Sequence, residues 1–415
     1  MYLYHNIENN LVINVEQIFA RQQIIQKIKQ RFTTFGYSEI VTSSFEHYDL
    51  YAKMNGTVNH QEMIKTIDNT GEVLVLRPDV TIPITQQIAL NNKELHEDLR
   101  YFYVLNVFRQ TQETKDFRES TQAGVEYFGN PSPEADAEII ALAIQLLEDL
   151  QVNNYKVELG HAGFFKQLVT DMQLEKQDLA ELKKYIQAKN ITEIEQFLTC
   201  QAVDSGIKEI VRSLPFLYGN PLDVITKAKE LPLNKEMKDT LDNIYSIFKF
   251  LEAYGVAEHI VVDLSLINHM DYYSDMIFQG FVEKVGKPIL MGGRYNTLAH
   301  QFGSNLPAIG FACDVDFLIA GIESNTLPQM NPIDITILFE NVTDKEGLQL
   351  AKLLRGKQYN VLTYVDSTKA SRIPNSRFTV KLNKDSKILI AGDETIPFKT
   401  HNEIIELLQQ VRERE

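Results

Sequence analysis

Apolar residues recur at helical spacing early in the chain. Ile18, Phe19, Ile25, Ile28 and Phe32 share one side of VEQIFARQQIIQKIKQRFTT (15–34), with basic and amide residues between them. A strand-like run at 38–42 and a helical stretch around 46–53 follow. Asp68-Asn69-Thr70-Gly71 is a turn signal, and VLVLR (73–77) reads as the strand returning from it. The clearest strand pair is 100–110 with 118–128, rich in Tyr, Phe and Val and joined by a polar loop. Ser132-Pro133-Glu134 then predicts a helix start, with a hydroxyl N-cap, Pro in the first turn and an acid at the positive dipole end. Its apolar stripe runs through Ile139, Leu142, Ala143, Leu146 and Leu150.

After a strand at 155–159, the stretch 161–253 carries helical patterns and no strand signal of note. Asn190, Gly206 and Gly219-Asn220-Pro221 divide it into short helices, which predicts a helical insertion over about 165–253. Strand character returns at 259–263, 276–283 and 288–291, and a helix at about 314–322 closes this region. TLPQMNP (326–332) reads as a linker. Beyond it, DITILFE, a helix near 343–356, YNVLTYV, RFTVKL, KILIAG and a helix at 402–413 alternate as in a small α/β domain. The expected organisation is α+β, with one large domain over 1–325 and a small one over 331–415.

Composition narrows the function classes. The 415 residues are 44% hydrophobic and 23% charged, as in a soluble globular protein. No apolar run is long enough to span a bilayer, and MYLYHNIENN lacks the pattern of a secretory signal. Cys200 and Cys313 form no disulfide framework and no metal-ligand spacing, so a reducing cytoplasm without a structural metal is expected. Net charge is −15. Residues 331–415 hold 13 Lys and Arg against 12 Asp and Glu, which places −16 on residues 1–330. So acidic a surface argues against a nucleic-acid partner.

Side chains alternate across a strand, so Arg118, Gln122, Gly124, Glu126 and Phe128 share one face of 118–128. Gln122 and Glu126 stand about 13 Å apart along the backbone by the strand rise. Gly124 between them leaves a gap over which both can lean. The pattern alone leaves two readings open, a solvated polar face and a grip on a small ligand.

Four segments in order, LRPDVT (76–81), FRQTQETKDFRESTQAGVEYFG (108–129), NHMDYYSDMIFQG (268–280) and GGRYN…PAIGFACDVDFL (292–318), resemble the catalytic core of histidyl-tRNA synthetases. That resemblance implies a class II aminoacyl-tRNA synthetase-like antiparallel sheet flanked by helices. It also implies a histidine pocket. Gln122 would accept from the α-ammonium and Glu126 from a ring N–H, with Asp79 and Thr81 completing the ammonium site. Tyr272 and Tyr273 would lie beside the imidazole, and Arg109 would take a carboxylate or phosphate in bidentate fashion. An acid beside the ring favours the imidazolium. Asp79 is one methylene shorter than the family's Glu.

The departures concern the groups that activate an amino acid. Asn268 stands where the family carries an Arg, and Arg109-Gln110-Thr111 replaces an Arg-x-Glu. Asp314-Val315-Asp316-Phe317 aligns with a Gly-Leu-Glu-Arg whose Arg clasps the ATP γ-phosphate. Losing one preorganised charge-stabilising donor typically costs on the order of 10²–10³ in rate. Ser43 replaces a Pro that supports the family's dimer contact. GGRYN contributes a Gly pair that lets backbone approach a ligand. His161 in ELGHAGFF sits at a helix start without an acidic or nucleophilic partner in sequence. Lys369, Arg372, Arg377, Lys381, Lys384 and Lys387 read as a solvated basic face.

With these departures, residues 1–325 resemble the regulatory subunits of short-form ATP phosphoribosyltransferases. That resemblance implies a protein with no catalytic residues and no cofactor. Its partner would be the short-form catalytic subunit that performs the first step of histidine biosynthesis, with histidine as feedback effector. It would self-associate as a dimer within a hetero-oligomer. The alternative is an active histidyl-tRNA synthetase.

Overall fold

A computed structural model describes residues 15–52, 54, 58–91, 97–110, 119–267, 272–323, 326–327, 333–340, 345–366, 373–383 and 386–414. The chain forms two compact units, Met1–Pro328 and Gln329–Glu415.

The first unit is organised by a nine-stranded sheet. Its spatial order is Ser38–Glu39, Leu99–Phe108, Glu119–Phe128, Ala308–Asp314, Pro288–Arg294, Met276–Val282, Tyr155–His161, Ile260–Asp263 and Tyr218–Gly219. The six strands from Leu99–Phe108 to Tyr155–His161 pair antiparallel. Alternation along Glu119–Phe128 sorts its side chains between two cores. Ala123, Val125 and Tyr127 join the larger core with Ile24, Ile28 and Phe32 of helix Val15–Thr34 and the stripe of helix Pro133–Asp149. Phe128 joins a second core with Tyr103, Tyr272, Tyr273, Ile277 and Tyr295. Gln122 and Glu126 point to that second side. A separate three-stranded sheet, in the order Phe45–His47, Val73–Leu76, Lys65–Ile67, adjoins it.

Several elements differ from the sequence reading. Ala308–Asp314, where no strand was expected, is the central strand that holds Glu119–Phe128 against Pro288–Arg294. The stretch at 46–53 begins as strand Phe45–His47 and becomes helix only over Tyr48–Ala52. Ser132 occupies the N-cap of Pro133–Asp149, yet its hydroxyl makes no cap bond. The cap loop is held instead by Asn130, whose Oδ1 accepts from the Ser132 N–H at 2.9 Å.

Between 162 and 253 lie six α-helices, the last being Lys235–Ala253. Side-chain oxygens of Asn190, Asp204, Asn220 and Asn234 cap four of them by accepting first-turn backbone N–H bonds. Inside this helical stretch, Tyr218–Gly219 is a short strand that pairs with Ile260–Asp263. The second unit is a five-stranded sheet ordered Val361–Val365, Ile335–Phe339, Phe378–Leu382, Lys387–Ala391, Glu394–Pro397. Helices Lys345–Gly356 and His401–Arg414 accompany it. Strand Glu394–Pro397 was absent from the sequence reading. The expected linker 326–332 lies mostly outside the described residues.

Candidate functional site

A cavity of about 210 Å³ opens on the second side of the large sheet. Asp79, Thr81, Arg109, Gln122, Glu126, Tyr272 and Tyr273 all line it. The sequence reading had missed Tyr295, Gly310 and the wall Pro288–Met291. Tyr295 belongs to GGRYN, where only the glycines had drawn attention.

Glu126 lies at the inner end with 2% of its surface exposed. The Thr81 hydroxyl donates to its Oε1 at 2.6 Å, and the Tyr295 hydroxyl donates to Oε2. Burial pushes this carboxyl up to about 8, against the pull of the two hydroxyl donors, and the neighbouring Asp79 adds to the rise. The close approach depends on Gly310 in the adjoining strand, directly opposite Glu126. A Cβ there would stand 2.2 Å from Glu126 Oε2 and 2.3 Å from the Val125 carbonyl.

Asp79 is also buried. Its Oδ1 accepts from the Ile82 N–H at 2.8 Å, at the start of helix Thr81–Asn91, and its Oδ2 is 3.9 Å from Arg109 Nη2. Burial raises its pKa, and the Arg109 charge opposes that rise. Arg109 is fixed from behind by its Nε, which donates to the Pro78 carbonyl at 2.6 Å. Rings complete the inner end. Tyr272 and Tyr273 have centroids 4.6 Å apart, and Tyr295 stands edge-on to Tyr272 at 5.9 Å. The gap expected over Gly124 is filled, because Tyr103 is its cross-strand partner. A Cβ on Gly124 would lie 2.5 Å from the Tyr103 hydroxyl.

The outer end has other chemistry. Met291, Phe317 and Asp314 line it, and Gln122 Oε1 is buried there without a hydrogen bond among the described residues. Asp314 caps helix Val315–Gly321, its Oδ1 accepting from the N–H groups of Asp316 and Phe317 at 2.9 and 3.1 Å. Asp316 is held by Arg21, 3.3 Å away. Asp314 and Asp316 are thus structural, and Phe317 presents an aromatic ring to this end of the cavity. Asn268 and loop 111–118, with Arg118, lie outside the described residues.

Other candidates serve the scaffold. His161 caps helix Ala162–Met172 by accepting the Gly163 N–H at Nδ1, 3.1 Å away, and burial lowers its pKa to about 4. Arg294 of GGRYN is buried against Asp136 at 2.7 Å and ties the sheet to helix Pro133–Asp149. In the basic stretch, Lys387 pairs with Glu346, while Lys369, Arg372 and Lys384 are outside the described residues. Among the described residues, no group of three His, Cys, Asp or Glu could hold a metal, and no helix is long and apolar enough to cross a membrane.

A family model for histidyl-tRNA synthetase matches residues 13–318. An ATP phosphoribosyltransferase regulatory subunit of Oceanobacillus iheyensis is 38% identical over 391 residues, covering 94% of this chain and 95% of the relative. One of Clostridium botulinum is 32% identical over 412 residues, covering 97% and 95%. A Bacillus halodurans crystal structure, named ATP phosphoribosyltransferase regulatory subunit/histidyl-tRNA synthetase, superposes with TM-score 0.74 at 28% identity, covering 86% and 90%. A histidyl-tRNA synthetase from Nostoc sp. PCC 7120 superposes with TM-score 0.78 over 96% of both chains. At 17% identity it speaks to the fold alone.

Proposed function

The chain belongs to the ATP phosphoribosyltransferase regulatory subunit family, built on the histidyl-tRNA synthetase fold, and we propose that its cavity is the histidine sensor of that enzyme. The chain performs no catalysis itself. It associates in the cytoplasm with a separate short-form catalytic subunit, stimulates it, and transmits feedback inhibition when histidine fills the cavity. The observation that carries this reading is the convergence of seven side chains and Tyr295 on one 210 Å³ space. That volume lies below the ~300–1,000 Å³ typical of pockets for drug-sized ligands, and so suits a single amino acid.

Each group has a task in this reading. The α-ammonium meets Asp79 and Gln122, whose Oε1 is buried and lacks a partner among the described residues. The carboxylate meets the guanidinium of Arg109, which lines the cavity. The ring lies beside Tyr272 and Tyr273 and reaches Glu126. Occupation inhibits if the bound cavity favours one arrangement of the complex, and a coupling of roughly 1–3 kcal/mol suffices. Self-association as a dimer fits the exposed apolar side chains of Val41, Phe45, Ile67 and Val73 on and beside the three-stranded sheet.

Reconstitution tests the proposal. A short-form phosphoribosyltransferase assayed with this chain should be stimulated, and histidine should reverse the stimulation. Absence of stimulation across a range of subunit ratios would reject the partner. Stimulation insensitive to histidine would reject the sensor.

A further inference from the structure

Glu126 is a buried acid that no cation faces among the described residues. The groups around it are the Thr81 hydroxyl, the second acid Asp79, and the phenols of Tyr103, Tyr272, Tyr273 and Tyr295. From the neighbouring strand comes only the backbone at Gly310. Among the described residues, Arg109 is the sole cation lining the cavity, and it is engaged by the Pro78 carbonyl and Asp79. A carboxylate in such a place is costly unless it is paired, so the empty cavity holds Glu126 as the neutral acid. Its elevated pKa of about 8 has the same origin. A neutral carboxyl can donate along either existing contact, because the hydroxyls of Thr81 and Tyr295 accept as well as donate.

We infer that Glu126 selects the ligand by base strength, its proton passing to a ring nitrogen of the incoming imidazole so that the two are bound as carboxylate and imidazolium. One O–H bond breaks and one N–H bond forms, with no proton exchanged with solvent. The inference rests on reading the cavity as a histidine site. A free imidazole has a pKa of about 6.5. At roughly pH 7.3, midway between that value and the about 8 of Glu126, histidine arrives mostly with a neutral ring, the acid is mostly protonated, and the cavity supplies the charge. Neither neutral partner carries a full desolvation penalty on entry. The charges appear only where Thr81 and Tyr295 already point hydroxyls at the new anion. A ring of the same outline but far weaker basicity cannot accept the proton, so shape alone does not gain it entry.

Ring-nitrogen-labelled histidine bound to the full chain at roughly pH 7.3 tests this directly. Both ring nitrogens should resonate as imidazolium while free ligand reads as neutral; a neutral-tautomer pattern in the bound ligand overturns the inference. Calorimetry at the same pH, in buffers of different ionisation enthalpy, should show no net proton exchange. Uptake of about one proton would mean Glu126 was already ionised, and release of about one would mean the ring stays neutral; either overturns it. Triazolylalanine should bind wild type roughly 10–100-fold more weakly than histidine, and E126Q should compress that ratio to within about threefold. An uncompressed ratio counts against Glu126 as the selector. Absence of any histidine binding would remove the site reading itself, a result distinct from binding with a neutral ring.

Discussion

The two ends of one cavity treat charge differently. At the inner end, acids are buried and, among the described residues, the side-chain hydrogen bonds to Glu126 come from neutral hydroxyls, so the site suits a basic ligand. At the outer end, where an activating enzyme would gather cations around a triphosphate, Asp314 is used up in capping a helix and Phe317 presents a ring. Arg109 stands between them and is tied to the inner side by Asp79 and Pro78. Recognition needs complementary groups in the ground state, whereas activation needs cations where charge develops. One set can be kept while the other is lost, because different side chains serve the two ends.

The largest expected effect comes from disturbing the inner end through its backbone. Gly310→Ala places a methyl against Glu126 Oε2 and the Val125 carbonyl, and the carbonyl cannot yield. Histidine affinity should fall roughly 100-fold, as when a charge-assisted bond is lost and its partner left buried. Calorimetry reads the affinity, and a melting curve separates it from instability. Tyr295→Phe removes one of two donors to Glu126 and should weaken histidine about fivefold, near 1 kcal/mol.

The unpaired acid should also show in stability. Glu126 titrates near 8 in the fold, against about 4.3 in an unfolded chain. Between these values the folded state keeps a proton that the unfolded state sheds, so this group costs more stability as pH rises toward 8. E126Q should therefore melt above the ligand-free wild type by a few degrees near pH 8, with the gap closing toward pH 5. His161 has the opposite sign. Held down to about 4, it refuses a proton that the unfolded chain accepts below about 6.5, so it costs stability as pH falls through that window. A pH-independent gap for E126Q would contradict burial without a counter-charge.

The smallest effect tests the outer end. Phe317→Arg should change histidine affinity by less than about twofold and should not produce histidine-dependent ATP–pyrophosphate exchange, since one cation does not rebuild a charge clamp. Exchange appearing on this single change would show that the outer end had been nearly intact.

The inner end was the more legible of the two in the sequence, for a physical reason. Alternation along Glu119–Phe128 places Gln122 and Glu126 on one face whatever the rest of the fold does. What fills the space between them depends on the cross-strand register, and Tyr103 over Gly124 follows only once that pairing is known. Ala308–Asp314 went unread for a related reason. It is buried on both sides, so it shows no alternation, and Gly310 interrupts its apolar run. Its partners, Glu119–Phe128 and Pro288–Arg294, supply the order its own residues do not. Tyr295 was overlooked because its role appears only when that strand brings Gly310 beside Glu126. Caps at Asn190 and Asn220 are local and could be read directly, whereas Ser132 shows that a suitable residue in the right place need not cap.

Equilibrium dialysis of labelled histidine against the full chain, with ATP and magnesium present, bears most directly on recognition without activation. About one histidine per chain should be held and recovered chemically unchanged, with Gly310→Ala holding almost none. Recovery of histidyl-adenylate, or no retention by the wild type either alone or with its catalytic partner, would contradict the account.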